Sequence, residues 1–224
     1  MNFIRTFIYG VSAGLTVWVY SLDEGPLGMG LVPTLWFGLF ASVSLYLAIL
    51  PGPLYDVFPR LQGRRGFLQA RRAFGIGAAV FGALHGYHGL FGWVGGFAGL
   101  RDWSADYNLS LLLGGIALLI LVVLAFTSSD VAMSAMGARW KRLHRLVYPA
   151  GVLVIAHAAI VTIHVLELMP WLIGSFVAIS FLTTLVTVRL ARRVPRRQPL
   201  VWGAWAVSMA VLFWAHFLIS HHRH

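Results

Sequence analysis

Residues 109 to 126 form an eighteen-residue run without a charged side chain, about the length a helix needs to cross the hydrocarbon core of a bilayer. In lipid such a segment must satisfy its backbone internally, so it is a helix, and its neighbours must be built the same way. The rest of the chain supplies them. Apolar runs over residues 3–22, 31–50, 72–93, 140–168, 171–188 and 200–220 surround it. They predict an all-α polytopic membrane bundle of six to seven transmembrane helices, as a single transmembrane domain over residues 1–224. The first run reads as a retained helix rather than a removable signal, because no small-residue cleavage pattern follows it. The seventh is the least tied to the functional core. Pro149 predicts a kink in the first half of the fifth.

Composition agrees, with 59% apolar and 11% charged residues and a mean hydropathy of +0.80. The absence of cysteine removes disulfides, thiolate-ligated haem, iron–sulfur clusters and cysteine zinc sites, leaving His, Met and carboxylates as metal ligands. A net charge of +10 could suggest nucleic acid as a partner, but its distribution points to membrane orientation. Fourteen of the seventeen Lys and Arg residues fall in the segments after spans two, four and six, whereas Asp23, Glu24, Asp102, Asp106 and Glu167 lie on the other side. The positive-inside rule then puts the N-terminus in the cytoplasm and, with seven spans, the C-terminus outside. No internal repeat stands out, and glycines such as those in GWVGG lack the strand-to-helix setting of a nucleotide loop.

This topology makes spans three and five parallel, so depths on them can be compared. His85 lies 14 residues beyond Arg71 and His157 lies 15 beyond Arg142, about 20 Å and 22 Å of helix respectively. Two imidazoles level on neighbouring helices can ligate one iron from opposite faces, which leaves no open position and suits electron transfer. The bland alternative is that both merely hydrogen-bond between helices. An ionisable group deep in a membrane nevertheless marks a functional position by default.

The remaining histidines call for other roles. His88 and His164 fall near the outer surface, where a hydrogen bond to a propionate, a lipid or a quinone suits them better than iron. His144 sits between Arg142 and Arg145 at the inner surface, level with Arg71 where a second ligand would stand. Its basic neighbours suit a propionate, a flavin phosphate or lipid headgroups. The 13-residue step from His144 to His157 is about 220° on an ideal helix, so Pro149 must change the phase if both face one cofactor stack. His216 reads as a packing histidine, and the terminal histidines as solvated tail.

The stretches RRAFGIGAAVFGALH, ending at His85, and LAFTSSD followed by MGARWKRLHRLVYPAGVLVIAH, ending at His157, resemble the ferric-reductase-like transmembrane domain. Within that family they look most like the haem-binding membrane subunits of bacterial periplasmic methionine sulfoxide reductase systems. The resemblance covers roughly residues 35–190. It implies a b-type haem cytochrome of the bacterial inner membrane, with His85, His157 and His144 as candidate iron ligands and Arg71, Arg142 and Arg145 beside the cofactor. One haem b is expected, with a second haem, FMN and quinone left open. The donor would be a cytoplasmic flavin reductase or quinol and the acceptor a periplasmic redox partner, with lipids but no nucleic acid bound. The alternatives are a self-sufficient haem reductase of ferric iron or oxygen and a non-redox scaffold. Eukaryotic ferric reductases and NADPH oxidases carry a second histidine on span three where this chain has Arg71, and the seventh span departs from their six-helix core.

Overall fold

A computed structural model describes residues 3–22, 31–165 and 169–221. Among them every regular element is helical. The helices are α1 (Phe3–Ser21), α2 (Leu31–Ile49), α3 (Pro51–Val57), α4 (Arg64–Tyr87), α5 (Gly96–Gly99), α6 (Ala105–Phe126), α7 (Asp130–Met136), α8 (Ala138–Leu143), α9 (Val147–Val165), α10 (Met169–Arg193) and α11 (Gln198–His221). Four stretches among the described residues are long and apolar enough to cross a membrane, namely Phe3–Ser21, Leu31–Val57, Ala105–Phe126 and Ala138–Val161. Helix α4 is outside that set because its arginines, glycines and His85 dilute its apolar content. Many side chains of α10 and α11 lie outside the described residues.

Helix boundaries differ from the apolar runs in two places. Span three was expected to begin near Arg72, yet α4 starts at Arg64, so the four arginines before the apolar stretch belong to its first turns. Long straight side chains such as Arg tolerate a helix well, and their charge alone does not end one. The second difference concerns Pro149. Helix α8 ends at Leu143, a single 3₁₀ turn covers His144–Leu146, and α9 starts afresh at Val147. Pro149 lies in the first turn of α9, and the irregular turn falls around Arg145, the residue whose carbonyl an N–H at position 149 would have met, so the distortion sits in the turn just before the proline. Gly137, with φ +51°, separates α7 from α8 in a backbone conformation that side chains other than glycine's disfavour.

The chain forms two compact units. The first comprises Met1–Ile49 and Arg65–Ile160. A buried cluster joins α1, α2 and α4, where Val19, Phe37 and Phe81 are almost wholly enclosed and Leu15, Trp36, Phe40 and Leu84 close around them. The Phe37 and Phe81 rings stack at 6.3 Å, and Phe40 meets Phe81 at 5.5 Å. Lipid removes most of the hydrophobic drive between helices, so close fit of this kind carries the association. Glycine permits the same fit on the other face of α4, where Leu118 of α6 lies against Gly82 and Gly86. Helix α6 also receives α9, with Ser110, Ala117 and Ala150 buried in this unit. Arg72 of α4 forms an ion pair with Asp130 at the start of α7.

The second unit comprises Leu50–Arg64 and Val161–His224. There Asp56, at the end of α3, takes Arg189 at 2.6 Å and Arg193 at 3.1 Å from the basic end of α10. The Trp205 Nε1–H donates to Thr184 Oγ1 at 3.1 Å and ties α11 to α10. Several of the arginines expected to mark membrane orientation thus also hold helices together.

Candidate functional site

His85 lies in the last turn of α4, just before a π-helical segment over His88–Trp93, a distortion often found beside functional positions. Its Nδ1 is 2.8 Å from the carbonyl oxygen of Thr34 on α2. A carbonyl only accepts, so Nδ1 carries a proton, and in the neutral ring the lone pair falls on Nε2, across the ring. The ring has room because residue 38, one turn further along α2, is glycine: a Cβ there would lie 2.8 Å from His85 Nδ1 and 3.0 Å from Cε1.

His157 on α9 repeats this arrangement against α6. Its Nδ1 is 2.9 Å from the Ser110 carbonyl oxygen and 3.2 Å from Ser110 Oγ. One turn along α6 is Gly114, where a Cβ would fall 2.9 Å from Nδ1 and 3.1 Å from Cε1. Both imidazoles therefore present Nδ1–H to a helix carbonyl, the arrangement whose neutral form has its lone pair on Nε2. The two rings meet, with centroids 5.8 Å apart and planes at 79°.

This pair fits the group that the family resemblance implies. Histidine ligands to a metal characteristically donate the other ring N–H to a carbonyl, which fixes the tautomer and raises ligand basicity. Two imidazoles each holding a shared metal at about 2 Å would have their ring centres about 6 Å apart, close to the spacing seen here. Among the described residues no group of three His, Cys, Asp or Glu side chains could hold a metal ion. Two histidines without a third protein ligand suit a metal that brings its own equatorial ligands, as haem does.

His144 is held differently. It stands in the 3₁₀ turn between α8 and α9, stacked on Trp140 at 4.0 Å, with Nε2 3.2 Å from Thr127 Oγ1 at the end of α6. The Thr127 hydroxyl donates its own proton to the Val123 carbonyl at 2.8 Å, so it accepts from His144 and Nε2 is the protonated nitrogen. The Trp140 Nε1–H donates to the Thr127 carbonyl at 2.9 Å and braces the same corner. Arg71 and Arg72 lie within electrostatic reach of His144. Arg142 and Arg145 are exposed at the same end. The 3₁₀ turn resolves the phase problem: His144 and His157 both face α6, one at Thr127 and the other at Ser110.

His88 belongs to a third setting. Its Nε2 lies 2.9 Å from the Tyr20 hydroxyl of α1, and its ring stacks on Phe37 at 5.8 Å. His164 and His216 fall in α9 and α11, but their side chains lie outside the described residues, as do His222 and His224. The sequence reading missed Thr34, Gly38, Ser110 and Gly114. A signal existed, since each histidine-bearing helix is preceded by one with a hydroxyl residue and a glycine four positions later. It was not distinctive, because Thr6 and Gly10 share the spacing and Gly10 meets nothing within 4 Å.

Three comparisons bear on this geometry. The pattern of the ferric reductase like transmembrane component matches residues 36–155, which include His85 and His144 and stop just before His157. The protein-methionine-sulfoxide reductase heme-binding subunit MsrQ of Bordetella pertussis is 32% identical over 124 residues, covering 54% of this chain and 56% of that protein. The subunit of the same name from Azospira oryzae is 30% identical over 161 residues, covering 69% of this chain and 64% of that protein. The chain thus spans between half and two thirds of the length of these curated relatives. No solved structure matches it.

Proposed function

We propose, since this chain belongs to the ferric reductase like transmembrane component family, that it is a membrane b-type haem protein that carries electrons across the bilayer. The observation that carries the reading is the paired geometry of His85 and His157, each with Nδ1–H committed to a helix carbonyl and the rings 5.8 Å apart. His85 and His157 would hold the iron through Nε2. When bound, haem supplies a reversible one-electron couple inside the bilayer. The protein's part is to hold both imidazoles neutral and oriented. With both His85 and His157 given over to holding the group, it would serve to pass electrons rather than to bind oxygen or a ferric chelate, which favours a conduit over direct reduction of either.

The haem-binding core falls within about residues 35–190 of a six- to seven-helix bundle, with the N-terminus in the cytoplasm. Electrons enter from a cytoplasmic flavoprotein or quinol and leave to an extracytoplasmic acceptor. That acceptor class draws support from the relatives, whose names make them heme-binding subunits of a protein-methionine-sulfoxide reductase. His144 is a support at the electron-entry end rather than a ligand, because Trp140 covers its ring, Thr127 engages its Nε2 and Arg71 lies within its electrostatic reach. Arg71, Arg142 and Arg145 give that end a positive field that suits a propionate, a flavin phosphate or an acidic partner.

A reduced-minus-oxidised spectrum of the purified protein, with a pyridine haemochrome count, tests this directly. One low-spin b-type haem per chain is expected. Protein without haem absorption would leave the scaffold reading in its place. Reporters fused after Arg197 and after His224 test the orientation, and finding both on one side of the membrane would remove the seventh span.

A further inference from the structure

We infer that Gly38 and Gly114 are positioning residues, each leaving a notch in a neighbouring helix that seats one histidine as its Nδ1–H tautomer with Nε2 free. At both glycines the three nearest atoms to an added Cβ all belong to the histidine ring, and the nearest approaches are 2.8 Å and 2.9 Å. That is closer than real Cβ atoms come. Elsewhere on these helices the glycines serve ordinary packing or nothing: Gly82 and Gly86 would meet Leu118 at 3.3 Å and 3.4 Å, and Gly115 and Gly75 meet nothing within 4 Å. The acceptor and the notch come as a unit. The carbonyl at residue 34 or 110 lies one turn before the glycine, so an imidazole lying across the glycine reaches that carbonyl edge-on. A side chain at residue 38 or 114 would push the ring outward and break the hydrogen bond that selects the tautomer.

The consequence for iron rests on the proposed haem reading, but the seating of the rings does not, and the two can be measured apart. In full-length haem-free protein labelled with ¹⁵N-histidine and reconstituted in detergent micelles, nitrogen chemical shifts distinguish Nδ1–H from Nε2–H tautomers. His85 and His157 should be Nδ1–H and His144 Nε2–H. Gly38→Ala should release His85 from its single tautomer and leave His157 unchanged; Gly114→Ala should do the reverse. The controls Gly75→Ala and Gly115→Ala should move neither. Alanine favours a helix over glycine by roughly 1 kcal/mol, so a loss cannot be ascribed to a weakened helix. On haem addition, Gly38→Ala and Gly114→Ala should convert most of the low-spin signal to a five-coordinate high-spin one. The wild-type spectrum already decides the matter if a notch variant does not fold: His85 or His157 in the Nε2–H form overturns the inference. An intact tautomer and an intact low-spin spectrum in Gly38→Ala overturn it as well. Wild-type protein with the expected tautomers but no affinity for haem would uphold the notches and reject the haem reading.

Discussion

Two histidines dock on the same helix with opposite results. At Ser110, α6 offers His157 a backbone carbonyl beside a glycine; at Thr127 it offers His144 a side-chain hydroxyl whose proton is already given to Val123. The carbonyl takes Nδ1–H and leaves Nε2 bare, whereas the hydroxyl takes Nε2–H. The second ring is also covered by Trp140, and the first faces His85. What the neighbouring helix presents, more than the histidine or its depth, thus decides which nitrogen is left for chemistry.

The sharpest way to break this contrast is to remove a member of the pair. His85→Ala or His157→Ala should lower haem affinity by more than the roughly 10–100-fold that loss of a second-shell partner costs a metal site, read by haem titration of the purified protein. His88→Ala should retain nearly all binding, because that ring is committed to Tyr20 and Phe37. An unchanged six-coordinate spectrum in His85→Ala protein would erase the distinction between the paired site and the others.

His144→Ala sharpens the contrast from the other side. Haem stoichiometry should stay at the wild-type value while reduction by a cytoplasmic donor slows severalfold in stopped-flow absorbance. Loss of a whole haem equivalent would make His144 an axial ligand despite its bond to Thr127. A milder change is Thr127→Val, which deletes the hydroxyl acceptor but keeps the carbonyl that Trp140 uses. It should cost about 1 kcal/mol of stability in denaturant unfolding and let His144 adopt a mixture of tautomers.

The smallest expected effect concerns the ion pair between Arg72 and Asp130, near the His144 end. The hydrogen bond and charge of Arg72 hold the Asp130 carboxyl below the usual carboxylate range. A lowered folded-state value means this stabilisation is fully present above the ordinary carboxylate pKa and is lost as pH falls through the lowered one. Asp130 is exposed, so water and salt screen the pair and the change should be slight. Melting temperatures of wild type and Arg72→Gln followed down the acid range should converge. A gap that persists in strong acid would show that Arg72 acts through packing rather than through charge.

Much of the fold was legible because its physics is local. Charge-free runs such as residues 109–126 become helices wherever lipid surrounds them, and the long arginines at 64, 65, 71 and 72 permitted α4 to begin earlier than apolarity alone suggested. Pro149 was legible for a related reason. Sequence marks a proline as a helix breaker, and its effect falls on the carbonyl four residues earlier, Arg145, within the 3₁₀ turn over His144–Leu146.

By itself the sequence determined the chemical repertoire: no thiolates, apolar helices, clustered arginines, and His85 and His157 at similar distances along the chain from Arg71 and Arg142. These follow from composition and from the fixed rise of a helix. Only the tertiary structure decided that the two imidazoles meet, that Thr34 and Ser110 supply the carbonyls that set their tautomers, and that Gly38 and Gly114 make room for the rings. Those partners lie 47 and 51 residues away along the chain. A hydrogen bond over that separation depends on how two helices are rotated against each other, and many sequence positions share that rotation without any one of them encoding it.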